Sequence, residues 1–222
     1  MVCYEKIVTR EEITRIRKRL ANYTLKILHD EGLYRHLYCY WADDPYGAGN
    51  CSFHVYTAPY TITIMGDWMD AYTLYRDEDM LDFCNITGTE YTYWAEKLQN
   101  RAARDSIRTI DEHLFWEEAT NHLKTYTGYS PDEQAAIIEQ AQDAIIFDEV
   151  YAHPITQLLD TDFELPTTAE NGDWNGYETI HADDIFDYEG SFGEHYTHEW
   201  IRTCEALRWA ANTYWEQQKK AK

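Results

Sequence analysis

Between Thr125 and Ile201 the chain carries 18 Asp or Glu and not one Lys or Arg in 77 residues. Average usage, about a quarter of residues charged, would place several cations in a globular stretch of that size. Like charges gathered in one block repel each other and oppose compaction. Any fold built from this stretch must turn its carboxylates outward, and the repulsion must be offset. The asymmetry runs through the whole sequence. Residues 1–110 hold 16 acids and 13 bases, a net of −3, whereas residues 111–222 hold 24 acids and 6 bases, a net of −18. The full chain of 222 residues has a formal charge of −21.

That charge disfavours nonspecific binding to DNA, RNA or anionic membrane. Hydrophobic residues at 44% and aromatics at 15% argue against disorder. No apolar run reaches the roughly 18 residues a membrane-spanning helix needs. The first ten residues lack the apolar segment of a signal peptide. Five cysteines (Cys3, Cys39, Cys51, Cys84, Cys204) are odd in number and lack metal-type spacing, which points to reduced thiols in a cytosolic setting.

Periodicity predicts a helix over 9–30. Thr9 and Glu12 form a capping box, and Ile13, Ile16, Leu20, Tyr23 and Ile27 make one apolar stripe. Its polar face is basic (Arg10, Arg15, Arg17, Lys18, Arg19); it suits phosphate or RNA, but the favoured expectation is that it pairs with the acidic half of the same chain, and Gly32 fits a C-cap. Residues 33–76 predict four short strands with tight links, Leu33–Trp41, Cys51–Thr57, Tyr60–Met65 and Ala71–Tyr75. The segment Asp43–Asn50 between the first two is turn material. Helices must cover one face of this meander to bury Ile62, Ile64 and Leu74. Helical patterns follow at 78–83, at 89–99 and from Thr109 or Asp111 to about Thr125. Another opens at Ser130-Pro131-Asp132-Glu133 and runs to about Ala152. Residues 153–193 read as a long acidic loop. A last helix opens at His195 or Thr197 and carries Trp200, Ile201, Cys204, Leu207, Ala211 and Trp215 on one side. The sum is an α+β protein, a four-stranded antiparallel meander packed by helices with a mostly helical, acidic C-terminal half. Residues 1–110 and 111–222 read as two regions of one continuous domain.

Motifs of known chemistry are sparse. His195 and His198 are three apart, a spacing that lets two histidines on a helix share a metal, but Glu194-His195-Tyr196-Thr197-His198-Glu199 matches neither zinc-protease pattern. Asn171–Gly176 has the front of a calcium loop, yet position 12 would be Ala182 where a glutamate is required. Tight turns are the simpler use of those residues. Acid pairs such as Asp183-Asp184, or Asp67 with Asp70, suit two-metal phosphoryl chemistry, but nothing singles one out among 40 acids. The 19 tyrosines suit base stacking or protein interfaces.

Several segments resemble an uncharacterised family of small phage and prophage proteins. They are Gly32-Leu33-Tyr34-Arg35-His36-Leu37, Ile64-Met65-Gly66-Asp67-Trp68-Met69 with Tyr72, Tyr75 and Arg76, Asp79-Met80 with Phe83, Tyr93–Leu98, and Leu207-Arg208-Trp209-Ala210 with Tyr214. Members usually show Gly-Asp-Met-Gly where this chain has Gly66-Asp67-Trp68-Met69. The resemblance implies a phage genome and a bacterial host cytoplasm, and no mechanism.

Charge and resemblance together lead to the expectation of a non-enzymatic, anti-CRISPR-like inhibitor of a bacterial defence system. It would act as an acidic DNA mimic on a basic nucleic-acid-binding host protein or complex. The expected contact residues are Asp160, Asp162, Glu164, Asp173, Glu178, Asp183, Asp184, Asp187, Glu189 and Glu194. No catalytic residue, cofactor, metal, membrane or direct nucleic-acid contact is expected. The alternatives are a metal-dependent enzyme on nucleotides or nucleic acid, and an inert phage accessory protein.

Overall fold

The computed structural model describes residues 9–43, 51–88, 90–125, 128–147, 153–168, 174–186 and 192–221. They form two compact units. Unit 1 runs to Thr109 and resumes at His195, and unit 2 spans Ile110–Glu194.

Unit 1 opens with α1 (Arg10–Leu20), started by the Thr9–Glu12 capping box. It ends ten residues before the expected boundary. The chain turns at Ala21-Asn22 and enters β1 (Thr24–Glu31), so the sheet has five strands where four were expected. Tyr23 and Ile27 lie four apart, a spacing that fits a helical face and also the period of two along a strand. Leu25, between them, is buried as a strand requires. Gly32 sits at φ +62° in the β1–β2 hairpin turn and is not a helix cap. The meander continues through β2 (Tyr34–Tyr40), β3 (Ser52–Ala58), β4 (Thr61–Gly66) and β5 (Met69–Tyr75), all antiparallel in sequence order. Of the expected Asp43–Asn50 turn, all but Asp43 lies outside the described residues. Gly66 is required by close approach, because a Cβ there would come within 2.4 Å of the Ser52 carbonyl oxygen.

Short helices follow, α2 (Met80–Phe83), α3 (Tyr91–Glu96) and α4 (Arg101–Ser106), then β6 (Arg108–Ile110). After unit 2 the chain returns through β9 (Glu194–Tyr196), which pairs with β6, into the 24-residue α9 (His198–Ala221). Helix α9 packs on α1, α3, β1 and β5. It buries Trp200, Ile201, Cys204, Leu207 and Tyr214 against Leu37, Phe53, Val55, Ile62, Ile64 and Leu74 from the inner sheet face. Full burial of each such side chain contributes roughly 1.5–3 kcal/mol. Cys39, Cys84 and Cys204 are free and buried, and burial pushes their thiols upward, away from reactivity.

Unit 2 has its own core. Helices α5 (Glu112–Thr125) and α6 (Pro131–Ala144) contribute Phe115, Ala119, Leu123, Ile137 and Ala141. Ser130 and Glu133 start α6 with a reciprocal capping box, and α6 ends at Ala144, short of the expected Ala152. The stretch expected to be loop is largely ordered into α7 (Pro154–Leu159), β7 (Asp162–Thr168), β8 (Trp174–His181) and α8 (Ala182–Ile185). Pro154 occupies the first turn of α7, where its missing N–H costs nothing. Phe163 and Leu165 alternate with Asp162 and Glu164, so β7 buries one side and exposes the other.

Candidate anionic interface

Unit 2 contains 21 Asp or Glu and a single Lys or Arg, Lys124, a net of −20 in 85 residues. The rest of the chain holds 19 acids and 18 bases. Almost the entire charge of the protein therefore belongs to one unit with its own core.

The β7–β8 hairpin and its flanks gather the carboxylates. Asp160 closes α7, and Asp162 begins β7 opposite His181 at the end of β8. Asp183 and Asp184 follow at once in α8 and act electrostatically on the same imidazole. Glu164 lies two residues along β7, on the face of Asp162, with Thr179 as its register partner. Same-face positions on a strand repeat at about 6.6 Å. All five carboxylates are exposed. Glu178 is exposed too, but it stands opposite Leu165 and so belongs to the other face. Glu194 is half-buried in β9. Asp173, Asp187 and Glu189 lie outside the described residues, as does the front of the proposed calcium loop; its rear, from Trp174, is strand β8. Of the acids that charge alone grouped together, the structure places Asp160, Asp162, Glu164, Asp183 and Asp184 on the hairpin and its flanks, and sets Glu178 and Glu194 apart from them. A groove of about 760 Å³ beside α5 is lined by Asp111, Glu112 and Glu117 together with Lys124, the single Lys or Arg of unit 2.

His181 is the local counter-charge that a count of Lys and Arg overlooks. Its Nδ1 hydrogen-bonds Asp162 Oδ1, and the pair is exposed on both sides. The hydrogen bond to Asp162, then the Asp162 charge, and further off Asp183 and Asp184, hold the imidazole above its ordinary value. A raised histidine favours the folded state below its unfolded pKa, and that contribution is lost as pH rises through the folded value. A pH titration of the ring signals by NMR is expected to show His181 deprotonating above about 6.5, the ordinary histidine value. Asp162→Asn is expected to lower that midpoint. An unchanged midpoint in the variant would contradict the assignment.

Part of the basic face of α1 is used within unit 1. Arg17 donates from Nε to Glu205 Oε2 at 2.8 Å and from Nη2 to Oε1 at 2.9 Å. Arg208 and the Tyr91 hydroxyl also donate to this fully buried carboxylate. Arg19 lies over Trp41 and donates to Cys51 Sγ.

The segments carrying the phage resemblance serve mainly to hold unit 1 together. Arg35 makes a two-pronged bond to Asp79 at 2.8 and 2.9 Å and stacks on Tyr214 and Trp215. Burial opposes charge on Asp79, but the Arg35 hydrogen bonds and charge hold its carboxyl below the usual range. Asp67 accepts from the Ser52 amide and hydroxyl. On the outer sheet face His36 meets His54 at 2.8 Å and stacks on Tyr56, while Tyr38 stacks on both Tyr40 and His54. This places part of the tyrosine excess that the sequence leaves unassigned.

His195 and His198 do not share a helix, because His195 is in β9 and only His198 is in α9. Among the described residues no group of three or more His, Cys, Asp or Glu is arranged to hold a metal ion. No helix among them is long and apolar enough to cross a membrane. The chain matches no family model, no curated protein and no solved structure.

Proposed function

We propose that unit 2 is a nucleic-acid mimic, a folded anionic body that occupies the Lys/Arg-lined DNA site of another protein. The observation that carries this is the net −20 confined to 85 residues with an independent core. A solvated acidic surface serving solubility alone needs far less, since a charge of about 2–8 in magnitude keeps a small domain soluble. Duplex DNA presents one charge per about 1.7 Å of axis, held rigidly. The Asp160, Asp162, Glu164, Asp183 and Asp184 group copies the essential element, anions fixed by strands and a helix cap before the partner arrives. Such preorganisation reduces the cost of binding, and opposite potentials speed encounter. The phage resemblance supplies the expected target class, a bacterial defence complex that reads DNA, such as an RNA-guided surveillance complex.

The test is displacement of labelled duplex DNA from a purified RNA-guided surveillance complex, repeated between about 50 and about 500 mM salt. Competitive displacement at low salt, weakening at least tenfold across that range, is the expected outcome. Displacement insensitive to salt, or none at all across defence complexes of several types, would refute the proposal.

A further inference from the structure

Unit 1 contains a feature of the opposite sign. A cavity of about 190 Å³ opens between α1, the β4–β5 turn and the first turn of α9, lined by Arg15, Arg19, Arg202 and His198 around Tyr23 and Trp68. The Arg202 guanidinium lies 4.2 Å from the centre of the Trp68 ring, which fixes its plane. Arg19 is steadied by Trp41 and by its bond to Cys51. Burial, and then the nearby Arg19 charge, press against the charged form of Arg202 and outweigh the smaller support it draws from Glu199; as an arginine it stays protonated regardless.

What is unusual is how little direct pairing these cations have. In a chain with 40 carboxylates, no described carboxylate lies within ion-pair distance of Arg15, Arg19 or Arg202. The two acids nearby are committed elsewhere. Glu12 lines the cavity, but its carboxylate accepts from the Thr9 amide and hydroxyl. Glu199 accepts from the Asp70 amide and the Tyr72 hydroxyl. The first turn of α9 adds the positive end of a long helix dipole at His198. Three guanidiniums share the lining with one carboxylate, Glu12, so the cavity keeps a net positive charge, and a tetrahedral oxyanion offsets it while accepting from their forked N–H groups.

We propose that this cavity is a phosphate-binding site, taking either inorganic phosphate or the phosphate of a nucleotide. The proposal is independent of unit 2 and its partner. It is tested by calorimetric titration of the full-length protein with inorganic phosphate and, separately, with a nucleoside 5′-monophosphate at low salt, following tryptophan fluorescence in parallel. One site with Kd of about 1 mM or tighter is expected, with quenching from Trp68. Tighter binding of the monophosphate assigns the site to nucleotides, and equal binding assigns it to the phosphate group alone. Arg15→Gln, on the exposed side of α1, is expected to weaken binding about tenfold without loss of helix content by circular dichroism. Absence of heat and quenching with both ligands at about 10 mM, or affinity unchanged in both Arg15→Gln and Arg202→Gln, would overturn the proposal.

Discussion

Glu205→Ala is expected to destabilise unit 1 by about 3–5 kcal/mol, the range found when one partner of a buried charge cluster is removed. The carboxylate is inaccessible to solvent and receives donors from Arg17, Arg208 and Tyr91 at 2.8–3.1 Å. These come from α1, α9 and α3, so a single side chain fastens two helices to the central one. Alanine leaves the Arg208 guanidinium and the Tyr91 hydroxyl buried without their acceptor. Arg17, whose side chain is 44% exposed, recovers part of its hydration and suffers less. Glu205→Gln keeps the shape and one acceptor oxygen, so its cost is expected to be smaller than that of alanine. Thermal unfolding followed by circular dichroism measures both. A loss below about 1 kcal/mol for alanine would show that the cluster merely replaces hydration and fastens nothing.

The second large effect lies in unit 2 and separates folding from function. Changing Asp160, Asp162, Asp183 and Asp184 together to Lys moves the unit from −20 to −12. All four are exposed, and the exposed Asp162–His181 pair contributes little to stability. Self-repulsion falls, so the melting temperature is expected to hold or rise. Affinity for a basic DNA site is expected to fall at least about 100-fold, because close interfacial charge pairs couple by about 1.5 kcal/mol or more each and are here reversed. A variant that unfolds would show that these carboxylates support the fold. A variant that folds and binds as before would show that the anionic cluster is not the contact surface.

Much of the fold is legible in the sequence because capping chemistry and strand alternation are local. The Thr9–Glu12 and Ser130–Glu133 boxes start α1 and α6 where expected, and Ile62, Ile64 and Leu74 are fully buried under helices. The fifth strand is hidden because Tyr23 and Ile27 satisfy two periods at once, and only the burial of Leu25 decides between them. The 153–193 segment is misread for a different reason. Its prolines sit where structure tolerates them, Pro154 in a first helical turn and Pro166 on a two-stranded ladder. Its acids conceal the alternation of Phe163 and Leu165. The anionic cluster is legible as a charge count, but not as a shape, since joining Asp162 to Asp183 and Asp184 depends on the β7–β8 register. The cationic cavity is legible only as a basic helix face that suits phosphate, and not as a cavity. Arg15 and Arg19 read as one face of a helix, while Arg202 and Trp68 reach them only through tertiary packing.

One displacement experiment decides whether unit 2 imitates nucleic acid. Labelled duplex DNA is bound to a surveillance complex, the wild-type protein and the four-Lys variant are each titrated in, and the released DNA is followed as salt is raised. If unit 2 stands in for DNA, the wild-type chain displaces the duplex competitively at low salt, loses that capacity as salt rises, and the variant fails throughout. Equal displacement by both proteins, independent of salt, would mean that the charge gathered in residues 110–194 plays no part in binding.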